Sequence, residues 1–157
     1  MPTEPTTSAS PAAATSATST TPAAPDAAAA GGGAPAAPVF RYAAVTFDCP
    51  DPDALARFYS EVTGWPVTYS TDDFVLLGQE GSPGLGFNRL ADYRRPTWPD
   101  PATEKQAHLD FGVADLDAAE AHLVALGATR PDTQPDPERW RVLLDPAGHP
   151  FCVSTMV

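Results

Sequence analysis

Hydrophobic and polar positions alternate in two well-separated stretches of the chain. In "AVTFDC", Val45 and Phe47 fall on one side, and Ala44, Thr46 and Asp48 fall on the other. In "HLDFGV", Leu109, Phe111 and Val113 oppose His108, Asp110 and Gly112. A period of two predicts a half-buried strand at each place. The period then lengthens. Leu55, Phe58, Tyr59 and Val62 recur at helical spacing, and so do Ala119, Leu123 and Leu126. Both runs open on Asp-x-Asp-Ala and stop at a glycine, Gly64 or Gly127. Asp53 and Asp117 are the expected helix caps. The glycines suit the left-handed residue that ends a helix.

Strand-like pieces follow each predicted helix. After Gly64 come "WPVTYS", "DFVLLGQ" and "GLGFNRL"; after Gly127 come "ATRPD", "WRVLLD" and "PFCVST". The segments "EGSPG" and "DPAGHP" read as turns. The pattern is therefore a β-α-β-β-β unit present twice, offset by 64 residues from Asp51 to Asp115. The units span about residues 41–92 and 106–155, joined by "ADYRRPTWPDPATEKQ". Their apolar faces should pack under the helices. Thr46, Asn88, His108, Asp110 and Cys152 then share the helix-free side, which is either solvated or curved around a ligand. The fold class is α+β, a curved and mostly antiparallel sheet built from two modules.

Composition separates the first 38 residues from the rest. They hold 14 Ala, 7 Pro, 7 Thr, 4 Ser and 3 Gly, and no Val, Ile, Leu, Phe, Trp or Tyr. Such a segment has nothing large to bury and cannot offset its ordering entropy, so a disordered tail is expected over 1–38 and one folded domain over 39–157. The tail lacks the basic and apolar regions of a signal peptide, and no run is long and apolar enough to span a membrane. A cytoplasmic protein is the expectation. Of the net charge of −11, Glu4 and Asp26 contribute −2, leaving −9 on the domain. A surface this acidic repels nucleic-acid phosphates and anionic membranes, which argues against both as partners. Two cysteines, Cys49 and Cys152, are too few for a disulfide framework or a structural zinc site.

Together, "DCPDPDALARFYSEVTGW", "HLDFGVADLDAAEAHLVALGA" and "LLDPAGHPFCVST" resemble the vicinal oxygen chelate superfamily, in particular its glyoxalase-like and bleomycin-resistance-like members. The resemblance covers about residues 41–155. It implies a homodimer, and in the superfamily's metalloenzymes four ligands from the first and last strand of each module, usually His, Glu or Gln. The 64-residue offset carries those positions to Ala44, Asn88, His108 and Cys152. Ala44 has no donor atom, Asn88 offers a neutral oxygen, and no carboxylate stands at any of the four places. A divalent metal thus has an incomplete quartet, and His108 is its best candidate ligand. Asp48 and Asp110 share the face but lie further along their strands.

Two functions follow from different weights on these residues. The first is a small-molecule-binding protein that holds its ligand on the helix-free face, without a full metal quartet. His108, Asp110, Asn88, Cys152, Thr46 and Trp98 are the candidate contacts. Trp98, between prolines in the linker, either stacks on a planar ligand or seals the domain edge. Cys152 is a packed thiol, a soft ligand or a nucleophile. The second is a metal-dependent lyase or isomerase of the glyoxalase I type, with His108 as the surviving ligand. A scaffold or dimerisation role is a third possibility. His149 is expected to serve the turn, and His122 to face solvent.

Overall fold

The computed structural model describes residues 41–105 and 107–156; the tail expected over 1–38 lies outside the described residues. The first module runs β1 (Ala44–Cys49), α1 (Pro52–Thr63), β2 (Val67–Ser70), β3 (Phe74–Leu77) and β4 (Gly84–Arg89). The second runs β5 (Leu109–Gly112), α2 (Leu116–Ala125), β6 (Trp140–Leu144) and β7 (Pro150–Ser154). The strands form a four-stranded sheet ordered β1-β4-β3-β2 and a three-stranded sheet ordered β5-β7-β6. First and last strands pair in parallel in both modules, and the other pairs are antiparallel.

Both helices start two residues earlier than the sequence suggested. The caps are Asp51 and Asp115, whose carboxylates accept from the backbone N–H of Ala54 (3.1 Å) and Ala118 (3.0 Å). Asp53 and Asp117 stand instead inside the first turn, where a negative charge complements the helix dipole. Asp-x-Asp offers two capping oxygens, and the extended backbone at the first Asp of each pair decides between them. Gly64 closes α1 in the left-handed conformation, φ 72°, and its N–H donates to the Ser60 carbonyl.

The period-two reading of β1 holds. Phe47 and Cys49 are buried, while Thr46 and Asp48 are exposed on the other face. One aromatic cluster joins the two modules. Tyr59 of α1 stacks on Phe87 of β4, centroids 5.4 Å apart, and meets Phe151 of β7 edge-on at 6.3 Å. Phe58 also packs on Phe151, at 6.0 Å. Such pairs add about 0.5–1.5 kcal/mol each beyond their burial.

The expected strand "ATRPD" is reduced to one bridge, Thr129 to Leu144. Pro131, Pro135 and Pro137 supply no N–H, so a second ladder cannot extend along β6. The Gln134 side chain takes the strand's place. Its amide accepts from Val142 N and donates to Val142 O, both at 2.9 Å.

Candidate functional site

The second module gathers three ligand-type side chains on its helix-free face. Cys152 of β7 pairs in register with Asp110 of β5, which places their side chains side by side. His108 lies two residues before Asp110, on the same face. The potential ligand atoms of His108, Asp110 and Cys152 lie within 4.8 Å of one another. His108 Nε2 is 3.6 Å from Asp110 Oδ1, and the buried His108 Nδ1 has no hydrogen-bond partner. Burial pushes the His108 imidazole below its usual range, with Asp110 opposing and Lys105 adding to the shift. Burial raises the Cys152 thiol, with Asp110 acting the same way and Lys105 the opposite way. At neutral pH Cys152 is a protonated thiol, an unreactive one.

The corresponding place in the first module is filled. Gly86 pairs with Thr46, as Cys152 pairs with Asp110. A Cβ at Gly86 would stand 2.6 Å from Thr46 Oγ1 and 3.0 Å from the Phe74 ring. The ring and the hydroxyl thus occupy the space a ligating side chain would need. The span from first to last strand is two residues longer in the second module, since Ala44 pairs with Gly84 but Leu109 with Phe151. The equal 64-residue offset therefore reaches Asn88, two pairs beyond Gly86. Asn88 Nδ2 donates to Asp48 Oδ1 at 3.1 Å. Cys49 faces the core, where burial pushes its thiol up to about 11, and its S–H donates to the Asn88 carbonyl.

A cavity of about 300 Å³ opens beside β1. Its walls are Thr46, Phe47 and Asp48 of β1, linker residues including Leu90, Tyr93 and Lys105, and His149 of the turn before β7. The volume lies at the lower end for a small-molecule site. Lys105 and Ala107, next to His108 in the chain, belong to this wall, and the Lys105 charge acts on His108 and Cys152; the three cluster residues themselves are not among the cavity-lining residues. A second, more open hollow of about 460 Å³ lies between α1 and the end of α2, lined by Phe58, Ser60, Leu126 and Pro146 with the exposed charges Arg57 and Glu61.

A buried polar network supports the cavity wall. Asp145, 1% exposed, accepts the backbone N–H groups of Ala147 (2.9 Å), Gly148 (2.7 Å) and His149 (2.9 Å) on Oδ1. Its Oδ2 accepts the Tyr59 hydroxyl at 3.0 Å and meets His149 Nδ1 at 2.8 Å. On the far side of the ring, His149 Nε2 lies 3.1 Å from the Tyr93 hydroxyl and 3.0 Å from the Asp48 carbonyl. Burial raises both tyrosines, with the Asp145 charge adding to it. Gly148, φ 97°, is held under the Arg95 side chain, which leaves no room for a Cβ there.

Residues 44–154 match the model of the glyoxalase-like domain. The chain belongs to the glyoxalase-like domain family. Solved structures share the fold: a glyoxalase-related enzyme from Fulvimarina pelagi is 22% identical, with 74% of this chain and 88% of that one covered and a TM-score of 0.52. A glyoxalase/bleomycin resistance protein/dioxygenase family enzyme from Burkholderia phytofirmans PsJN is 23% identical, covering 71% and 95%, with a TM-score of 0.54. The fosfomycin resistance protein FosX from Mesorhizobium loti is 16% identical, covering 76% and 94%, with a TM-score of 0.56. No curated protein matches the chain.

In this glyoxalase-like chain the six residues singled out from sequence fall into four places. His108, Asp110 and Cys152 form one cluster, Thr46 lines the cavity, and Asn88 stands behind Asp48. Trp98 is half-buried in the linker and is not among the cavity-lining residues. Sequence reasoning assigned His149 to the turn alone and passed over Tyr93 and Asp145. The Asp-x-x-x-His spacing across a Gly turn was the available signal, since it brings a carboxylate over the ring. Among the described residues, no helix is long and apolar enough to cross a membrane.

Proposed function

We propose that this glyoxalase-like protein binds a small organic ligand in the cavity beside β1, without a full metal quartet. The observation that carries this reading is the 300 Å³ cavity, walled by Phe47, Leu90 and Tyr93 and reached by Lys105, His149 and Asp48. The wall mixes these apolar side chains with charged ones, Asp48, Asp92, Arg94, Glu104 and Lys105, and convergent polar groups of this kind orient a bound small molecule. Thr46 contacts the ligand from the cavity wall. His108, Asp110 and Cys152 contact the part that reaches past Lys105, and Asn88 holds Asp48 toward it. The first module contributes shape rather than ligation, since Phe74 and Thr46 fill the place beside Gly86. The reading includes a cytoplasmic homodimer, as composition and family resemblance imply. Light scattering on the full chain tests the dimer.

Thermal-shift measurement with aromatic antibiotics and with α-oxoaldehyde–thiol adducts tests the ligand. A true ligand at 100 times its Kd stabilises the folded chain by about 2.7 kcal/mol. No shift with any of them removes the binding reading and favours a scaffold role.

One observation favours a second reading, a metal-dependent lyase or isomerase. His108, Asp110 and Cys152 supply nitrogen, oxygen and sulfur donors close together, and His108 Nδ1 lacks a partner. Three such donors fit a borderline ion such as zinc better than a hard octahedral one. Bound there, the ion would supply a Lewis acid to a ligand oxygen. His108 and Asp110 would orient it, and Cys152 would give up its proton. Elemental analysis of protein purified without chelator, with His108→Ala as control, tests this. Stoichiometric metal lost in the variant supports the second reading, and absence of metal removes it.

A further inference from the structure

We propose that Asp145, His149 and Tyr93 form a proton relay that opens into the cavity, with the Tyr93 hydroxyl exchanging a proton with an acidic hydroxyl, phenolic or enolic, of the bound ligand. The proposal rests on the ligand-binding reading above and names the ligand class for it.

The argument begins with what fixes the ring. Asp145 Oδ1 already holds three backbone N–H groups, so it is bound as a carboxylate that accepts on both oxygens. His149 Nδ1 at 2.8 Å must therefore carry a proton and donate to Oδ2. That leaves Nε2 as the working nitrogen, at the cavity wall. It has a partner in either protonation state. Without a proton, Nε2 accepts from the Tyr93 hydroxyl at 3.1 Å. With one, it donates to the Asp48 carbonyl at 3.0 Å. The Tyr93 hydroxyl also has two partners, because it can donate to the Ala147 carbonyl at 3.0 Å instead. A proton can thus move through Tyr93 to His149 with the hydroxyl and the ring N–H each keeping an acceptor, so no donor of the relay is stranded. A carboxylate that orients a histidine, which in turn meets a hydroxyl, is the arrangement used to activate hydroxyl protons.

The atoms balance. A ligand O–H gives its proton to Tyr93 Oη as the Tyr93 proton passes to His149 Nε2. The ligand becomes an oxyanion, His149 an imidazolium, and Asp145 stays a carboxylate. The reverse transfer restores all three, and no oxidant or reductant takes part. Burial raises Tyr93, which keeps it a neutral carrier between transfers. An imidazole accepts protons from phenols and enols far more readily than from alcohols, which sets the ligand class. Lys105 and Arg94 on the cavity wall can hold the oxyanion, whereas Asp48, Asp92 and Glu104 oppose a second negative charge. Tyr59, Cys49 and Arg95 complete the ionisable groups around the relay.

4-Nitrophenol, whose ionisation is read by absorbance, tests the relay on the full chain. Calorimetry reports binding separately. At a pH where the free probe is mostly neutral, bound probe should show added phenolate absorbance. Tyr93→Phe and His149→Asn should bind the probe and lower its phenolate-to-phenol ratio by about tenfold, the effect of one lost charge-assisted hydrogen bond. Nitrogen-15 spectra of the free protein give a second readout, with Nδ1 of neutral His149 protonated and Nε2 bare. The opposite tautomer overturns the relay with no ligand involved. A probe that binds and stays neutral overturns the relay while the binding reading stands. A probe that fails to bind, while other ligands still raise the Tm, overturns the phenol and enol assignment alone.

Discussion

Replacing Asp145 with alanine should be the most damaging single change in this protein outside its hydrophobic core. The carboxylate is 1% exposed and accepts five hydrogen bonds, from three backbone amides, the Tyr59 hydroxyl and His149 Nδ1. Alanine strands all five donors in a site water does not reach. A stranded buried donor costs about 1–3 kcal/mol, and partial relaxation of the turn recovers some of the total. The expected loss is about 4–6 kcal/mol, at the extreme of what single substitutions do. In a domain of this size each kcal/mol lowers Tm by roughly 4 °C. Asp145→Asn should cost about half as much. It keeps an oxygen for the three amides but turns an NH₂ toward the Nδ1 proton of His149. Urea denaturation followed by tryptophan fluorescence and circular dichroism gives the free energies. A double-mutant cycle with Tyr59→Phe should show at least about 1 kcal/mol of coupling, because Tyr59 has nothing left to donate to once Asp145 is gone. A loss under about 1.5 kcal/mol for Asp145→Ala, or no coupling to Tyr59, would refute the account of this network.

Gly86→Ala should destabilise by about 1–3 kcal/mol, since its Cβ would meet Thr46 Oγ1 at 2.6 Å and the Phe74 ring at 3.0 Å. Thr46→Ala should recover part of that loss in the same urea assay. On the alkaline side, Cys49, Cys152, Tyr59 and Tyr93 are all raised, so the folded chain holds protons that the unfolded chain releases. Stability is then fully present below about pH 9 and falls as pH rises through the folded values. Cys49 alone, at about 11 against 9.0, accounts for roughly 2–3 kcal/mol of that loss. Cys49→Ala should flatten the pH 9–11 limb of the denaturation profile. On the acid side the sign reverses. His108 is lowered, so the unfolded chain binds the extra proton and stability falls as pH drops below about 6.5. His108→Gln should remove that part of the slope. If a divalent ion occupies the His108, Asp110 and Cys152 cluster, its affinity should rise with pH, because the raised Cys152 thiol must release a proton to ligate it. Zinc titration at pH 6.5 and 8 checks the direction.

The parts of this fold that were legible in the sequence are those set by local periodicity. Alternation at Val45 and Phe47, helical spacing from Leu55 to Val62, and the glycine stops all specify an element from within itself. The parts that were not legible depend on partners. Two aspartates at Asp-x-Asp-Ala compete for one cap, and backbone shape, which periodicity does not record, selects Asp51 and Asp115. The strand expected at "ATRPD" met three prolines, and a Gln134 side chain replaced its ladder. The repeat offset carried Ala44 to His108 correctly by local pattern. It reached Asn88, two pairs beyond Gly86, because the second module is two residues longer between its outer strands. The network around His149 was the least legible of all. Its bonds join Tyr59 to Asp145 across 86 residues and His149 to Asp48 across 101. Nothing near His149 in the chain announces those contacts, apart from the carboxylate four residues before it.

The claim that a small organic ligand occupies the cavity beside β1 is tested most directly by amide NMR. A ligand that raises the Tm is titrated into nitrogen-15-labelled full-length protein. The account predicts saturable shifts at Thr46–Asp48, along the Leu90–Pro96 linker, at Lys105 through Asp110, and at His149. Shifts confined to the hollow around Arg57, Glu61 and Leu126, or shifts that never saturate, would contradict it.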